Sequence, residues 1–203
     1  GPHTISVPRV KHADDIDPDE FDNGIDDDTF IKIIACIRIA VPYTGMIIST
    51  RENQEVRARA LHVGISQISG ASRTSVGGYV EPEPEEENSA QFDVSDNRTL
   101  DEVVQWLMGM GYIPSFCTAC YRAGRTGDRF MSLCKAGEIQ NCCHPNALLT
   151  LQEFLLDYAS PETRAIGEKV IAEQLKQIPR DNVRQKTEEY LAQMEHGERD
   201  FRF

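Results

Sequence analysis

The 203 residues are enough for one or two domains with real cores. With 33 acidic against 21 basic side chains, a formal net charge of −12, the surface would repel phosphates, which argues against a nucleic-acid partner. No apolar run approaches the roughly 20 residues of a membrane-spanning helix and the first residues lack the regions of a signal peptide, so no membrane is expected and the cytoplasm is the expected compartment.

The chain opens on GPHTISVPR without a methionine and already reads as a strand, which suggests the C-terminal piece of a longer protein. Residues 3 to 8 alternate and carry β-branched side chains, predicting a strand that ends at Pro8 and Arg9. The acidic stretch from Asp14 to Asp28 lacks EF-hand spacing and reads as a solvated loop. Asp27 and Asp28 then open a helix, FIKIIACIRIAV, running to Val41, with Cys36 expected to be buried in its apolar face. Pro42 stops it. Tyr43 to Thr50 reads as a second strand, apolar enough to be covered on both faces, Asn53 to His62 as a short helix, and Ile65 to Ser69, beyond Gly64, as a third strand.

This order predicts parallel strands joined by right-handed crossovers. Three strands cannot close a barrel alone, so they look like the last three βα units of a (β/α)8-type barrel, whose active-site mouth lies at the carboxyl ends of the strands. Arg51 falls there, and its planar fork suits a carboxylate, with a salt bridge to Glu52 or Glu55 as the alternative. Ser66, Ser69 and Ser72 lie near the end of the next strand, where Gly70 permits close backbone approach. Arg9 is a weaker candidate for the same cavity, and His3 stands at the wrong end of the strand for chemistry.

Arg73 to Tyr79 reads as a turn, and EPEPEEEN, from Glu81, is too polar and proline-rich to pack. Asp96 to Met110 predicts a helix with Leu100, Val103, Val104 and Leu107 as its stripe and Asn97 or Thr99 as its cap. Beyond the cysteines, a helix from Pro145 or Asn146 would dock by Leu148, Leu151, Leu155 and Tyr158. Ser160 would cap another, with Pro161 in its first turn and Pro179 after its end, and a last helix covers Arg184 to Glu195. The expected partition is a barrel part at 1–80, an acidic linker at 81–96 and a helical domain at 97–203.

Five of the six cysteines fall between Phe116 and His144. Cys117 and Cys120 form a C-x2-C pair and Cys143 follows after 22 intervening residues, part of which, Gly124 to Asp128, reads as turns. Two thiols so spaced can close on one metal or one cluster edge, and a third from a distant segment completes the cage. On a 4Fe-4S cluster, three thiolates leave one iron open to a ligand. A zinc site using Cys142 or His144 as fourth donor is the alternative, although adjacent residues rarely both reach one small ion. A disulfide framework fits a reducing compartment less well. Arg122, Arg125 and Arg129 would neutralise the local thiolates, or one of them would bind an anionic ligand.

C-x2-C-x22-C, the intervening YRAGRTGDRFM and the closing CCHPNALLT together resemble the C-terminal auxiliary-cluster domain of the HydG family, the radical S-adenosylmethionine (SAM) tyrosine lyases that mature FeFe hydrogenase. The likeness extends through GPHTISVPR, IISTRE and GISQISGASRTSVGGY. Related lyases that make thiamin and thiopeptide precursors share the first eighty residues but lack the cysteine triplet. The resemblance implies a radical SAM barrel followed by a mainly α-helical iron-sulfur domain, with Arg51 and Ser69 binding the tyrosine carboxylate. It implies Cys117, Cys120 and Cys143 as ligands of an auxiliary 4Fe-4S cluster with an additional iron held through L-cysteine. L-Tyrosine would be split to p-cresol, carbon monoxide and cyanide would be assembled on iron, and hydrogenase maturation proteins would be partners. The C-x3-C-x2-C motif of the radical-generating cluster does not occur in the 203 residues. That second 4Fe-4S cluster and most of the SAM site are expected in an N-terminal part, and the chain alone is expected to be inactive. The reading from another class is a non-catalytic zinc- or cluster-stapled interaction module whose acidic surface recruits a partner.

Overall fold

The computed structural model describes residues 3–12, 17–20, 24–74, 78–80 and 93–203. The chain divides into two compact units, Gly1–Thr99 and Leu100–Phe203. The EPEPEEEN segment and parts of the acidic loop lie outside the described residues; between them a short 3-10 turn spans Pro18–Glu20.

The first unit is α/β, as the alternation of apolar strands and amphipathic helices predicts. Strand β1 (Thr4–Ser6), helix α1 (Asp27–Ala40), strand β2 (Gly45–Ile48), helix α2 (Gln54–His62) and strand β3 (Gln67–Ile68) follow one another along the chain. The sheet is parallel in the order β1-β2-β3, with Ile5 opposite Met46 and Ile48 opposite Ile68. Its strands are shorter than the sequence patterns, but the ladder runs past β3, since Ser69 N donates to Ile48 O at 3.1 Å.

Asp26 caps α1 by accepting from Thr29 N at 2.6 Å, and that bond holds its carboxyl below the usual carboxylate range. The buried face of α1 is Phe30 and Ile34, one turn apart. Cys36, two residues beyond Ile34, is carried by the 3.6-residue period to the far side of the helix and is exposed, which corrects its placement in the core. The turn between α1 and β2 is pinned by Arg38, whose guanidinium donates to the carbonyls of Thr44 at 2.8 Å, Gly64 at 2.9 Å and Pro42 at 3.1 Å. Gly64 sits at φ +117°, and a Cβ there would lie 2.6 Å from Arg38 Cγ, so only glycine lets that side chain lie across the turn.

The second unit is helical throughout: α3 (Leu100–Gly109), α4 (Ala119–Arg122), α5 (Gly127–Lys135), α6 (Gln140–Asp157), α7 (Pro161–Leu175) and α8 (Asp181–Glu195). Its core joins Val104 and Met108 of α3 to Leu148, Leu151, Phe154 and Leu155 of α6, with Ile171 of α7 and Ile178. Ser160 caps α7 as the Ser-Pro-Glu sequence predicts, and its hydroxyl also donates to Asp101 at 2.7 Å, tying α7 to the first turn of α3. Three elements depart from the sequence reading. Helix α3 starts at Leu100, not Asp96, because Asp96 is drawn into an ion pair described below. Helix α6 starts at Gln140 and takes Pro145 inside it, so Cys142, Cys143 and His144 belong to its first turns. Tyr158 is 79% exposed rather than docked, standing at the C-cap of α6 with its ring 6.1 Å from that of Phe154.

Candidate functional site

The cysteines come from three elements that converge in the second unit. Cys117 precedes α4 and Cys120 lies within it, Cys134 is near the end of α5, and Cys142 and Cys143 lie in the first turn of α6. All are free thiols. Ala119 N donates to Cys117 Sγ at 3.4 Å. Cys143 is open to solvent over part of its surface. Burial, followed by the charges of Cys120, Cys117, Cys142 and Cys134, pushes its thiol up to about 12. Four thiols are therefore close enough to Cys143 to act on it through space. Burial and then Cys120 likewise raise Cys134. Among the described residues, no three His, Cys, Asp or Glu side chains converge tightly enough to hold a single metal ion. His144, weighed above as a zinc donor, shares a hydrogen bond of 3.0 Å with Gln174 of α7.

The three arginines of this segment have different surroundings. Arg122 makes a bidentate pair with Asp200, which pulls that carboxyl down to about 2. Arg125 donates to Cys142 Sγ at 3.4 Å and to Phe203 O at 2.6 Å. Arg125 and Arg129 line a cavity of about 520 Å³ together with Ser132, Leu133 and Cys142. The tail also hydrogen-bonds buried Asn146, with Phe203 N donating to Asn146 Oδ1 at 2.8 Å. The segment 198–203 thus braces both α4 and α6, a role that no periodic pattern in those few residues signals.

In the first unit, Arg51 lies three residues beyond the end of β2 and Ser69 one residue beyond β3, so the two stand past the carboxyl ends of neighbouring strands, each half-buried. Ser66, one alternative to Ser69, is occupied, its Oγ accepting from Met46 N at 3.1 Å. Glu52, considered as a partner for Arg51, is a buried carboxylate held by Arg9, whose Nε donates at 3.0 Å, and by Lys11 at 3.1 Å. Arg9 also pairs with Asp27 at 2.7 Å and lies 4.4 Å above the Phe30 ring, so it fastens α1 to the sheet rather than facing a cavity.

A second buried pair has no signature in the sequence. Arg57 of α2, fully buried, pairs with buried Asp96 and donates to the carbonyl of Ser69. Arg98 closes on the same carboxylate through two hydrogen bonds of 2.8 and 2.6 Å. Burial pushes the Asp96 carboxyl up, but the Arg98 hydrogen bonds and the Arg57 charge outweigh it and hold the group below the usual range. An arginine in a polar helix stretch such as QEVRARALH carries no signal that it will be buried.

The profile of the Biotin and Thiamin Synthesis associated domain matches residues 6–113. The 2-iminoacetate synthases of Escherichia coli and Salmonella typhimurium are 29% and 27% identical over 113 residues, covering 55% of this chain and 28% of theirs. A crystal structure of HydG, described as a maturase of the FeFe hydrogenase, aligns with all of this chain at 52% identity and a TM-score of 0.94, over 43% of its own length. The FeFe-hydrogenase maturase HydG from Carboxydothermus hydrogenoformans aligns with 94% of the chain at 38% identity and a TM-score of 0.68, over 39% of its length. The chain thus spans less than half the length of the proteins it matches. The cysteine segment lies beyond the 6–113 match and inside the part shared with HydG. The chain belongs to the Biotin and Thiamin Synthesis associated domain family and, over its whole length, is similar to the hydrogenase maturase HydG.

Proposed function

We propose that the chain is the C-terminal part of a radical SAM tyrosine lyase that serves FeFe-hydrogenase maturation, with its sheet as the last three strands of the barrel. The observation that carries the reading is that Cys117, just before α4, and Cys120, within it, lie near enough to Cys143 of α6 to act on it through their charge, in a chain 52% identical to HydG throughout. Cysteine sulfurs are soft donors that suit iron and sulfide.

Cys117, Cys120 and Cys143 would hold the auxiliary 4Fe-4S cluster and leave one iron without a protein thiolate. When bound, that cluster would supply an open metal position for an additional iron held through L-cysteine, the metal to which carbon monoxide and cyanide would be delivered. Arg122 and Arg125 offset part of the negative charge gathered there, and the tail residues Asp200 and Phe203 fix their position. In the first unit, Arg51 and Ser69 would orient L-tyrosine by its carboxylate, Arg51 through two parallel hydrogen bonds and Ser69 through its hydroxyl. SAM and the radical-generating cluster would be held by residues outside this chain, and p-cresol would be the second product.

The test uses the full-length protein, anaerobically loaded with iron and sulfide and supplied with SAM, a reductant and L-tyrosine. The reading expects p-cresol from the unmodified protein, its loss on Arg51→Ala, and loss of cyanide and carbon monoxide but not of p-cresol on Cys143→Ser. Retention of all products in Cys143→Ser would mean that the triplet holds no working cluster.

A further inference from the structure

We infer that the buried Arg57 and Asp96 pair is a positioning device that holds Arg51 and Ser69 in register for a ligand carboxylate; it rests on the role proposed for those two residues. The backbone amides of Ser95 and Asp96 both donate to the carbonyl of Thr50, at 3.0 and 3.1 Å, and so fix the residue immediately before Arg51. The carboxylate of the same Asp96 pairs with Arg57, and Arg57 donates to the carbonyl of Ser69. One residue therefore anchors the end of β2 through its backbone and the end of β3 through its side chain and a single guanidinium. Arg57, Thr50 and Asp96 are 0%, 1% and 2% exposed, so water does not soften these links.

The chemistry of the pair suits such a task. Buried ion pairs are often no more stabilising than apolar residues of the same volume, so stability alone is a weak reason for this one. A guanidinium is a rigid plane whose donors point in fixed directions, and it can span a carboxylate and a carbonyl at constant spacing, which the flexible stem of lysine cannot. Arg98 grips Asp96 from another side and prevents the carboxylate from rotating away. Bidentate recognition of a ligand carboxylate is sensitive to angle, so a slip between the β2 and β3 ends would weaken the grip on that group and leave contacts to the rest of the ligand intact.

The test compares L-tyrosine with tyramine, which keeps the ring and amine but lacks the carboxylate, on full-length protein loaded with both clusters and SAM. The unmodified protein is expected to bind L-tyrosine the more tightly. In Arg57→Lys and Asp96→Asn that preference is expected to fall about tenfold or more while the affinity for tyramine stays unchanged, a split that general destabilisation would not give. Absence of any preference in the unmodified protein would defeat the carboxylate role of Arg51 and Ser69 itself. A preference kept in full by both variants would overturn the positioning role alone. Hydrogen exchange probes the same coupling without mutation, because linkage is reciprocal and a ligand held by the device must also tighten it. L-Tyrosine, but not tyramine, is expected to slow exchange at the Ser95 and Asp96 amides, and exchange unaffected by L-tyrosine would overturn the inference.

Discussion

At the scale of single residues, the sequence exposes chemistry more readily than support. Cys117, Cys120 and Cys143 stand out because thiols separated by two and by 22 intervening residues suit a metal or a cluster, whereas Arg57 and Asp96 look like ordinary surface charges until the fold buries them. Cys36 reads as a core residue, yet is exposed, because an apolar helix sequence does not say which of its faces meets the sheet. Two predictions belong here. Cys143→Ser should abolish iron retention by the anaerobically reconstituted 203-residue chain, and Cys134→Ser should leave it unchanged, as read by iron and sulfide analysis. The second concerns acid. Because the Asp96 carboxyl is held below its usual range in the folded chain, its stabilising contribution is complete above the unfolded value of about 3.9 and is lost as pH falls through the lower folded value. Asp96→Ala should flatten that acid limb in urea titrations and cost about 3–5 kcal/mol at neutral pH, since it leaves Arg57 buried without its countercharge.

Among elements, legibility follows how much apolar surface each one buries. Helices α1, α2 and α7 lie within a few residues of where their caps and stripes place them, because Asp26, Asn53 and Ser160 each accept from the amide three residues on. Helix α5 has no counterpart in the sequence reading, where Gly124 to Asp128 reads as turns, although Phe130, Leu133 and Cys134 share one face of it; it buries no side chain fully. Proline ordinarily opens helices, so the sequence places the start of α6 at Pro145, yet the helix runs through it from Gln140 and carries two cysteines into place. The α6–α7 packing depends on Gly167, where a Cβ would lie 2.4 Å from Leu155 Cδ1. Gly167→Ala should destabilise the helical unit by about 1–3 kcal/mol through overpacking. Combining it with Leu155→Ala should cost less than the sum of the two single changes, because the alanine methyl would fill part of the space vacated by leucine. Strict additivity in thermal or urea unfolding would show that the two side chains do not compete for that space.

For the molecule as a whole, the chain divides at Thr99 and Leu100 into a parallel α/β unit and a helical unit. What the sequence could not convey is how the cysteine helices are braced, since the tail residues Asp200 and Phe203 reach Arg122 and Arg125 across 78 positions of chain. The functional account depends on an iron-sulfur core held by three of five neighbouring thiols. The direct measurement is the iron, acid-labile sulfide and zinc content of the 203-residue chain after anaerobic reconstitution. The account predicts about four irons and four sulfides per chain, with no zinc. One equivalent of zinc with no sulfide would contradict it and leave the thiols as a structural staple.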